Sequence, residues 1–325
     1  MKPLKISSTA SAPCKVILFG EHFVVYGKPA ILAAIDKRIY VNVSIRNDTK
    51  FVINNKDIHD EISISNMNQI ESNYKHDKLS YPIFLTAYNT LRGFDSRVGL
   101  DIKIDSQVPF GSGLGTSAAV SAALIASISN LFGSFNKHQI FLQTLETEKL
   151  IHATPSGADP AITVTGGVIM FRKTKEPDML IMPLGYNDLH LIIIYSGKNR
   201  ITGDIVNNVK RIREDNPKLF EMFANKSEEI TLDAVQALRN KDHNSLGSLM
   251  LRNHELLKSL GVSTRKLDEI VEKAMQNGAL GAKMTGAGGG GSVIAIAEDE
   301  NRLLNAFKEY YAFIANVDED GVRVE

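Results

Sequence analysis

The sequence predicts an α+β protein of two domains, with a strand-rich first half and a helix-rich second half. Before residue 110 most apolar stretches are short, and several alternate with polar residues as strands do. From residue 202 onward, apolar residues recur at helical spacing over long segments. The chain has 325 residues, 43% of them hydrophobic, which is enough for two cores. We therefore place the domains at 1–185 and 186–325.

The first half carries the clearest strand signals. The run 39–45 alternates apolar and polar residues, and so does 99–105, which indicates strands with one wet face. A very apolar helix is predicted from Ser117 to Leu131, and Gly133 is expected to stop it. The remaining predictions are strands at 15–19, 30–35, 166–171 and 179–182, a polar meander at 51–53 and 61–64, and helices at 81–91 and 138–152.

The second half is predicted to begin with the buried strand 189–195. Ser263 is expected to cap the last of four long helices, and Gly278 to end it. The four helices are predicted at 202–214, 217–239, 244–259 and 264–277. After a glycine-rich segment come a strand at 293–297, a helix at 301–315 and a short strand at 322–324.

Charge and cysteine content restrict the classes of partner. Lys plus Arg equals Asp plus Glu at 37 each, so neither nucleic acid nor an anionic membrane is expected as the main partner. The single cysteine, Cys14, permits no intramolecular disulfide, which fits the reducing cytoplasm. Residues 1–12 lack the apolar core of a signal peptide, and no apolar run approaches the roughly 20 residues of a membrane span.

A glycine-rich loop precedes the most apolar helix. Gly111, Gly113 and Gly115 allow the backbone to approach a ligand closely, and Thr116 and Ser117 follow at the start of the helix. The first N–H groups of a helix lack partners and attract anions, so the loop suits a triphosphate, with the two hydroxyls near a metal ion. The alternative is a tight turn in which Thr or Ser caps the helix.

An inward-facing carboxylate is predicted on the following helix. Phe141, Leu145, Glu148 and His152 share one stripe of a helical wheel, whereas Glu146 points away from it. A buried carboxylate needs a cation, and Mg²⁺ held by the carboxylate, a hydroxyl and phosphates is one solution. An Arg or Lys partner is the alternative.

Further polar residues lie in segments where solvated surface is a poor explanation. Asp159 is expected on a rigid loop between Gly157 and Pro160, either as a turn former or as a catalytic base. Lys15 opens the first apolar strand, and Glu21 and His22 follow its end. The alternative for these is that Lys15 reaches solvent and Glu21 caps a turn. The glycine-rich loop 286–291 is expected to pass against another backbone or a ligand.

Three motifs together resemble the GHMP kinases, and they occur in that family's order: Ala12–His22, Pro109–Ala119 and Lys283–Gly291. The resemblance implies ATP-dependent phosphorylation of an alcohol, on a two-domain fold with the active site in the cleft between the domains. The segments 15–30 and 154–162 resemble the members that phosphorylate the 5-hydroxyl of mevalonate. The expected partners are mevalonate and ATP with Mg²⁺, and a homodimer is an assembly the resemblance allows.

The same resemblance implies a role for each matching residue. Asp159 matches the catalytic base, Lys15 the lysine beside it, and Ser117 and Glu148 the Mg²⁺ ligands. Glu21 and His22, and more weakly Arg200 and Thr202, match substrate-binding positions. The ATP phosphates are expected on Pro109, Gly111, Ser112, Gly113, Leu114, Gly115, Thr116, Ser117 and Ala118. The third-motif loop, expected to support these loops, comprises Gly286, Ala287, Gly288, Gly289 and Gly290.

Two other functions are compatible with these motifs. A kinase of phosphomevalonate would need further cations for the substrate phosphate, which Lys198 and Arg200 could supply. A non-catalytic sensor of the same fold would bind without turnover, and the joint presence of Lys15, Glu148 and Asp159 argues against it.

One position departs from the family pattern. Cys14 stands where these kinases usually have glycine. If the position requires a positive φ, the cysteine would be strained. If the glycine of the family serves only to let a ligand approach closely, the cysteine would narrow the pocket beside Lys15. The third alternative is a neutral change.

Overall fold

The computed structural model describes residues 5–54, 59–63, 80–94, 96–151, 156–174, 179–198 and 202–325. The strands of these residues are β1 (Ser7–Phe19), β2 (Pro29–Arg46), β3 (Lys50–Asn54), β4 (His59–Ser63), β5 (Gly99–Ser106), β6 (Val168–Lys173), β7 (Met179–Pro183), β8 (Leu191–Tyr195), β9 (Ala279–Met284), β10 (Ser292–Ala297), β11 (Tyr311–Ala315) and β12 (Arg323–Val324). The α-helices are α1 (Ser80–Arg92), α2 (Thr116–Leu131), α3 (Lys137–Ile151), α4 (Ala158–Thr165), α5 (Thr202–Asp215), α6 (Pro217–Arg239), α7 (His243–Ser259), α8 (Arg265–Gln276) and α9 (Glu300–Asn305).

The first sheet is built around the long antiparallel pair β1 and β2. Its order is β12-β1-β2-β5-β3-β4, and β6 and β7 extend it from one end of β2. Helix α2 packs against β1, β2, α1 and α3, which explains why nearly all its side chains are apolar or small. The glycine loop therefore precedes a helix that is held in the core on almost every side.

The second sheet is antiparallel, in the order β11-β8-β10-β9. Helix α7 approaches β9 so closely that a Cβ at Gly247 would lie 2.3 Å from the carbonyl oxygen of Leu280. Helix α6 carries Phe220 onto Phe23 and Tyr26 of a 3₁₀ turn in the first half, with ring centroids 5.6 and 4.9 Å apart. The two halves thus share an apolar contact beside the end of β1.

The predicted helix at 301–315 is wrong in its second part. Helix α9 ends at Asn305, and Tyr311–Ala315 forms β11, which pairs with β8 at the edge of the second sheet. Its aromatic and β-branched residues favour a strand once a sheet edge is available. The N-cap of α8 is Thr264, whose Oγ1 accepts from Leu267 N, so the expectation for Ser263 is also wrong.

The end of the chain returns to the first sheet. β12 pairs with β1, and the buried Arg38 guanidinium pairs with Asp318 and donates to the carbonyl oxygen of Gly321 at 2.7 Å. A division at residue 185 falls between β7, in the first sheet, and β8, in the second. However, β12 lies after residue 185 and still belongs to the first sheet. The division into 1–185 and 186–325 stays a prediction. None of the helices within the described ranges is long and apolar enough to cross a membrane.

Cys14 is accommodated without backbone strain. Among the described residues, the non-glycine residues with positive φ are His22 and Lys241. Cys14 is fully buried in the first core with Ala12 and Val16, its alternate neighbours on β1. Lys15 comes next in the strand and so projects from the opposite face. The thiol therefore neither strains the chain nor narrows the space beside Lys15.

We expect the Cys14 thiol to be unreactive in the folded protein. Burial raises its pKa to about 12, which leaves almost no thiolate near neutral pH. Titration with a disulfide reagent at pH 8 should detect no thiol in the native chain and one per chain in guanidinium chloride. Rapid labelling of the native protein would contradict this burial.

Candidate active site

Lys15 of the first motif and Asp159 of the segment 154–162 form an ion pair. Lys15 Nζ lies 2.9 Å from Asp159 Oδ1. The Lys15 side chain is 2% exposed, whereas that of Asp159 is 27% exposed. A buried ammonium needs a counter-charge, which Asp159 supplies. The partly exposed carboxylate remains reachable for a ligand.

Asp159 lies on a helix rather than on the predicted loop. It is in the first turn of α4, whose N-cap is Gly157 with φ 85°. Proline is tolerated in the first turn of a helix, so Pro160 does not prevent one here. The positive end of the helix dipole favours a carboxylate at this position. Helix α4 packs Ala158, Ala161 and Ile162 into a small apolar cluster with β2 and β6, which fixes the direction of Asp159.

The glycine loop ends in a helix N-terminus without a side-chain cap. Gly111, Gly113 and Gly115 all have positive φ, and Gly115 is the N-cap of α2. No side chain of the described residues accepts from the first turn at this cap, so the Thr or Ser cap considered above is wrong. Uncapped N–H groups at the start of a helix suit an anionic group such as phosphate.

Lys15 lies directly beneath this loop. Its backbone N–H donates to the carbonyl oxygen of Leu114 at 2.8 Å. A Cβ at residue 115 would lie 2.7 Å from both Cγ and Cε of Lys15. Only glycine permits this contact together with a φ of +72°. The ion pair with Asp159 is therefore adjacent to the loop.

The glycine-rich segment of the third motif, which leads into the second sheet, supports the glycine loop. Ser292 Oγ donates to the carbonyl oxygen of Ser112 at 2.9 Å, and a Cβ at Gly291 would lie 3.1 Å from that same oxygen. Gly289 N donates to Val262 O at 3.0 Å, and a Cβ at Gly288 would lie 2.0 Å from that oxygen. The prediction that the segment passes against other backbone is confirmed.

Glu148 is buried as its helical position predicts. It is 3% exposed on α3, while Glu146 two residues earlier has a side chain that is 69% exposed. Helix α3 packs on α2, which carries Ser117 in its first turn. Within the described ranges no group of three His, Cys, Asp or Glu side chains could hold a metal alone. One carboxylate and one hydroxyl are oxygen donors that suit Mg²⁺ when phosphates complete its coordination.

Glu21 and His22 lie in a turn that contacts the third motif. Glu21 is fully buried and paired with the equally buried Lys283. Burial raises the pKa of Glu21 and lowers that of Lys283, and each charge opposes the shift in the other. His22 has φ 64°, and its Nε2 lies 2.9 Å from the carbonyl oxygen of Ala287.

The alternative that Lys15 reaches solvent is wrong, because its side chain is buried against Asp159.

The weaker substrate-binding predictions lie at the edge of the described structure. Arg200 falls outside the described residues. Thr202 is the first residue of α5. Lys198, the other cation considered, contributes its carbonyl oxygen to Gly291 N at 3.0 Å, so the segment before Arg200 touches the third motif.

Sequence reasoning missed the residues that support the third motif from behind. His254 on α7 accepts from Met284 N through Nδ1 at 3.3 Å, and its Nε2 lies 3.2 Å from Asp268 Oδ1. Lys283 begins the third motif, but the sequence analysis gives it no role. A charged residue within a buried apolar strand was the available signal for it; His254 lies on an amphipathic helix and gave none.

Comparisons with known proteins agree with this arrangement. The family model described as GHMP kinases N terminal domain matches residues 82–167, and the one described as GHMP kinases C terminal matches 234–312. The mevalonate kinase of Pyrococcus horikoshii is 37% identical over 97% of each chain, and that of Pyrococcus furiosus 40% identical over 90% of each. The structure of L. major mevalonate kinase in complex with R-mevalonate has a TM-score of 0.82 at 26% identity, covering 98% of this chain and 99% of that one.

The chain belongs to the GHMP kinase family. The α+β fold and the family expected from the sequence are thereby confirmed. Within the family the chain falls among the mevalonate kinases, since these relatives align with it over nearly its whole length.

We expect His254 to limit stability on the acid side. Burial lowers the pKa of His254 below the ordinary value of 6.5. The carboxylates of Asp268 and Glu255 partly oppose this shift, whereas the nearby Lys283 ammonium lowers the pKa further. A folded-state pKa below the unfolded one means that the stability contribution is complete above 6.5 and is lost as pH falls through the folded pKa.

His254→Gln retains an acceptor for Met284 N but cannot be protonated. Urea unfolding between about pH 8 and pH 5 should therefore show a smaller loss of stability in His254→Gln than in the parent chain. Equal losses in the two proteins would rule out this contribution.

Proposed function

We propose that this chain transfers the γ-phosphoryl group of ATP to the 5-hydroxyl of mevalonate, giving 5-phosphomevalonate and ADP. This reaction belongs to the mevalonate pathway of isoprenoid biosynthesis. Mevalonate kinases that align over 90–97% of the chain support it, as does the similar structure that holds R-mevalonate. The observation that carries the proposal is the Lys15–Asp159 pair beneath an uncapped helix N-terminus.

Asp159 acts as the catalytic base. Its partly exposed carboxylate accepts a hydrogen bond from the 5-hydroxyl and takes the proton as the oxygen–phosphorus bond forms. The bond between the γ-phosphorus and the β–γ bridging oxygen breaks, and ADP leaves with that oxygen. Lys15 orients the Asp159 carboxylate through their ion pair and stabilises negative charge on the moving phosphoryl group.

The glycine loop binds the triphosphate. The residues proposed for it are Pro109 and Gly111 to Ala118, with the N–H groups at the start of α2 as donors. The third-motif loop, Gly286 to Gly290, leads directly into Gly291 and Ser292, which contact Ser112 of the glycine loop. Phosphoryl transfer depends mostly on positioning and charge stabilisation, which a rigid backbone cradle provides.

Ser117 and Glu148 are proposed to hold Mg²⁺ together with phosphate oxygens. When bound there, the ion neutralises phosphate charge. Glu148 suits this role because its carboxylate is buried beside the helix that carries Ser117.

Substrate binding is assigned to His22, Arg200 and Thr202, with Glu21 in the same turn as His22. Of these, His22 is held in place by its contact with Ala287. The two relatives described above are named for mevalonate rather than for its phosphate, which favours mevalonate over phosphomevalonate. A cytoplasmic location and a homodimer stay predictions.

Asp159→Asn tests the base. The variant keeps the shape of the side chain but cannot take up the proton, so we expect kcat to fall by about 10²- to 10⁴-fold. ATP affinity, measured by calorimetry, should stay unchanged. Asp233→Asn, an exposed aspartate on α6, is the matched control and should behave like the parent. Parent-like turnover in Asp159→Asn would exclude the assignment.

Glu148→Gln tests the metal site. Loss of the carboxylate charge should raise the Mg²⁺ concentration needed for half-maximal turnover about tenfold or more. Glu146→Gln lies on the exposed face of the same helix and should leave the Mg²⁺ titration unaltered. If Glu148→Gln and the parent titrate alike, Glu148 does not bind the ion.

A further inference from the structure

The turn that follows β1 is attached to the second sheet by a buried ion pair. Lys283 lies on β9, and its Nζ pairs with Glu21 Oε1, with both side chains excluded from solvent. The same ammonium donates to Met284 O at 2.7 Å and lies 3.4 Å from Ile17 O. A charge buried this completely is tolerated only where its partners are fixed.

The second oxygen of Glu21 depends on this pairing. Oε2 is inaccessible and accepts no hydrogen bond from the described residues. Its charge is offset by the ammonium of Lys283 and, at longer range, by that of Lys15. Removal of Lys283 would leave a buried carboxylate without its main counter-charge, so the turn would have to rearrange.

A second link runs parallel to the ion pair. Thr285 Oγ1 accepts from Ile17 N at 2.9 Å and donates to Ile17 O at 3.0 Å. The first motif and the third motif are thus joined at two neighbouring points, one polar and one ionic. These contacts connect the first sheet to the second.

The conformation of His22 depends on this attachment. A histidine with φ 64° is strained, and such residues persist only where their surroundings fix them. Glu21 precedes His22 and is bound to Lys283, while the His22 ring is bound to Ala287, three residues beyond Met284 in the same segment. The second sheet therefore holds this turn through the residue before His22 and through the His22 ring.

We infer that Glu21 and Lys283 are a positioning pair for substrate binding: their ion pair fixes the turn that presents His22, and Glu21 itself does not touch the substrate. This rests on the proposed function, because it takes mevalonate as the ligand of His22. It gives Lys283 a role that was not predicted from the sequence, and it revises the sequence-based expectation for Glu21.

The test compares Glu21→Gln, Lys283→Met and the double variant. Each single change leaves one buried charge uncompensated or weakly bound, so we expect KM for mevalonate to rise about 10- to 100-fold. KM for ATP should change less than about threefold, since Lys15 and the glycine loop remain in place. In the double variant KM should rise no further than in Lys283→Met, because both changes disrupt one interaction.

Thermal unfolding gives an independent readout. Each single variant should lose at least about 5 °C in Tm, and the double variant less than the sum of the two losses. Lys226→Met removes an exposed lysine that is paired with Glu229 and should change neither Tm nor KM. Since the double variant carries no buried charge at this place, it keeps the comparison open if Lys283→Met fails to fold.

Two outcomes would overturn the inference. A raised KM in Glu21→Gln with a parent-like KM and Tm in Lys283→Met would mean that Glu21 binds the substrate directly. Additive effects of the two changes on Tm would mean that the pair is not coupled. A parent chain that does not phosphorylate mevalonate would instead refute the proposed function, and the coupling in Tm would still test the pair.

Discussion

The rest of the site depends on one constraint, the burial of the Lys15 ammonium against the Asp159 carboxylate. Lys15 is fixed because it belongs to β1, which forms the long antiparallel pair with β2 in the first sheet. Its stem fills the space beside residue 115, so the glycine loop has to lie close above it. Asp159 completes the pair from the start of α4, where the helix dipole favours its charge. One strand, one loop and one helix thus meet at a single ion pair.

The rest of the site is held in place by contacts between the two sheets. Gly291 and Ser292, directly after the third-motif loop, pack on Ser112, so a side chain at residue 291 would meet the glycine loop. The same segment is bound to the turn after β1 through Lys283. Residues 180 and 262 positions apart in sequence are therefore fixed against one another by these contacts. Such preorganisation suits a reaction in which positioning provides most of the catalysis.

Much of this could be predicted from the sequence because the signals were local. Helical periodicity gave α5 to α8 nearly to the residue, and the same wheel placed Glu148 inward and Glu146 outward. Asp159 is predicted on a loop because α4 is short, is bounded by Gly157 and Gly166 and contains Pro160, so it gives no periodic signal. The sequence of β11 is predicted to be helical because the pairing of β11 with β8 is a tertiary contact, which local patterns do not reveal. The Glu21–Lys283 pair joins residues far apart in sequence, so no spacing rule reveals it.

A structure with a non-hydrolysable ATP analogue, Mg²⁺ and mevalonate is the most direct measurement. The phosphates should lie on the N–H groups at the start of α2, and an Asp159 oxygen should lie about 3 Å from the 5-hydroxyl oxygen of mevalonate. Lys15 should remain bound to Asp159 in that complex. A 5-hydroxyl out of reach of Asp159, or phosphates bound away from the glycine loop, would contradict the role given to this ion pair.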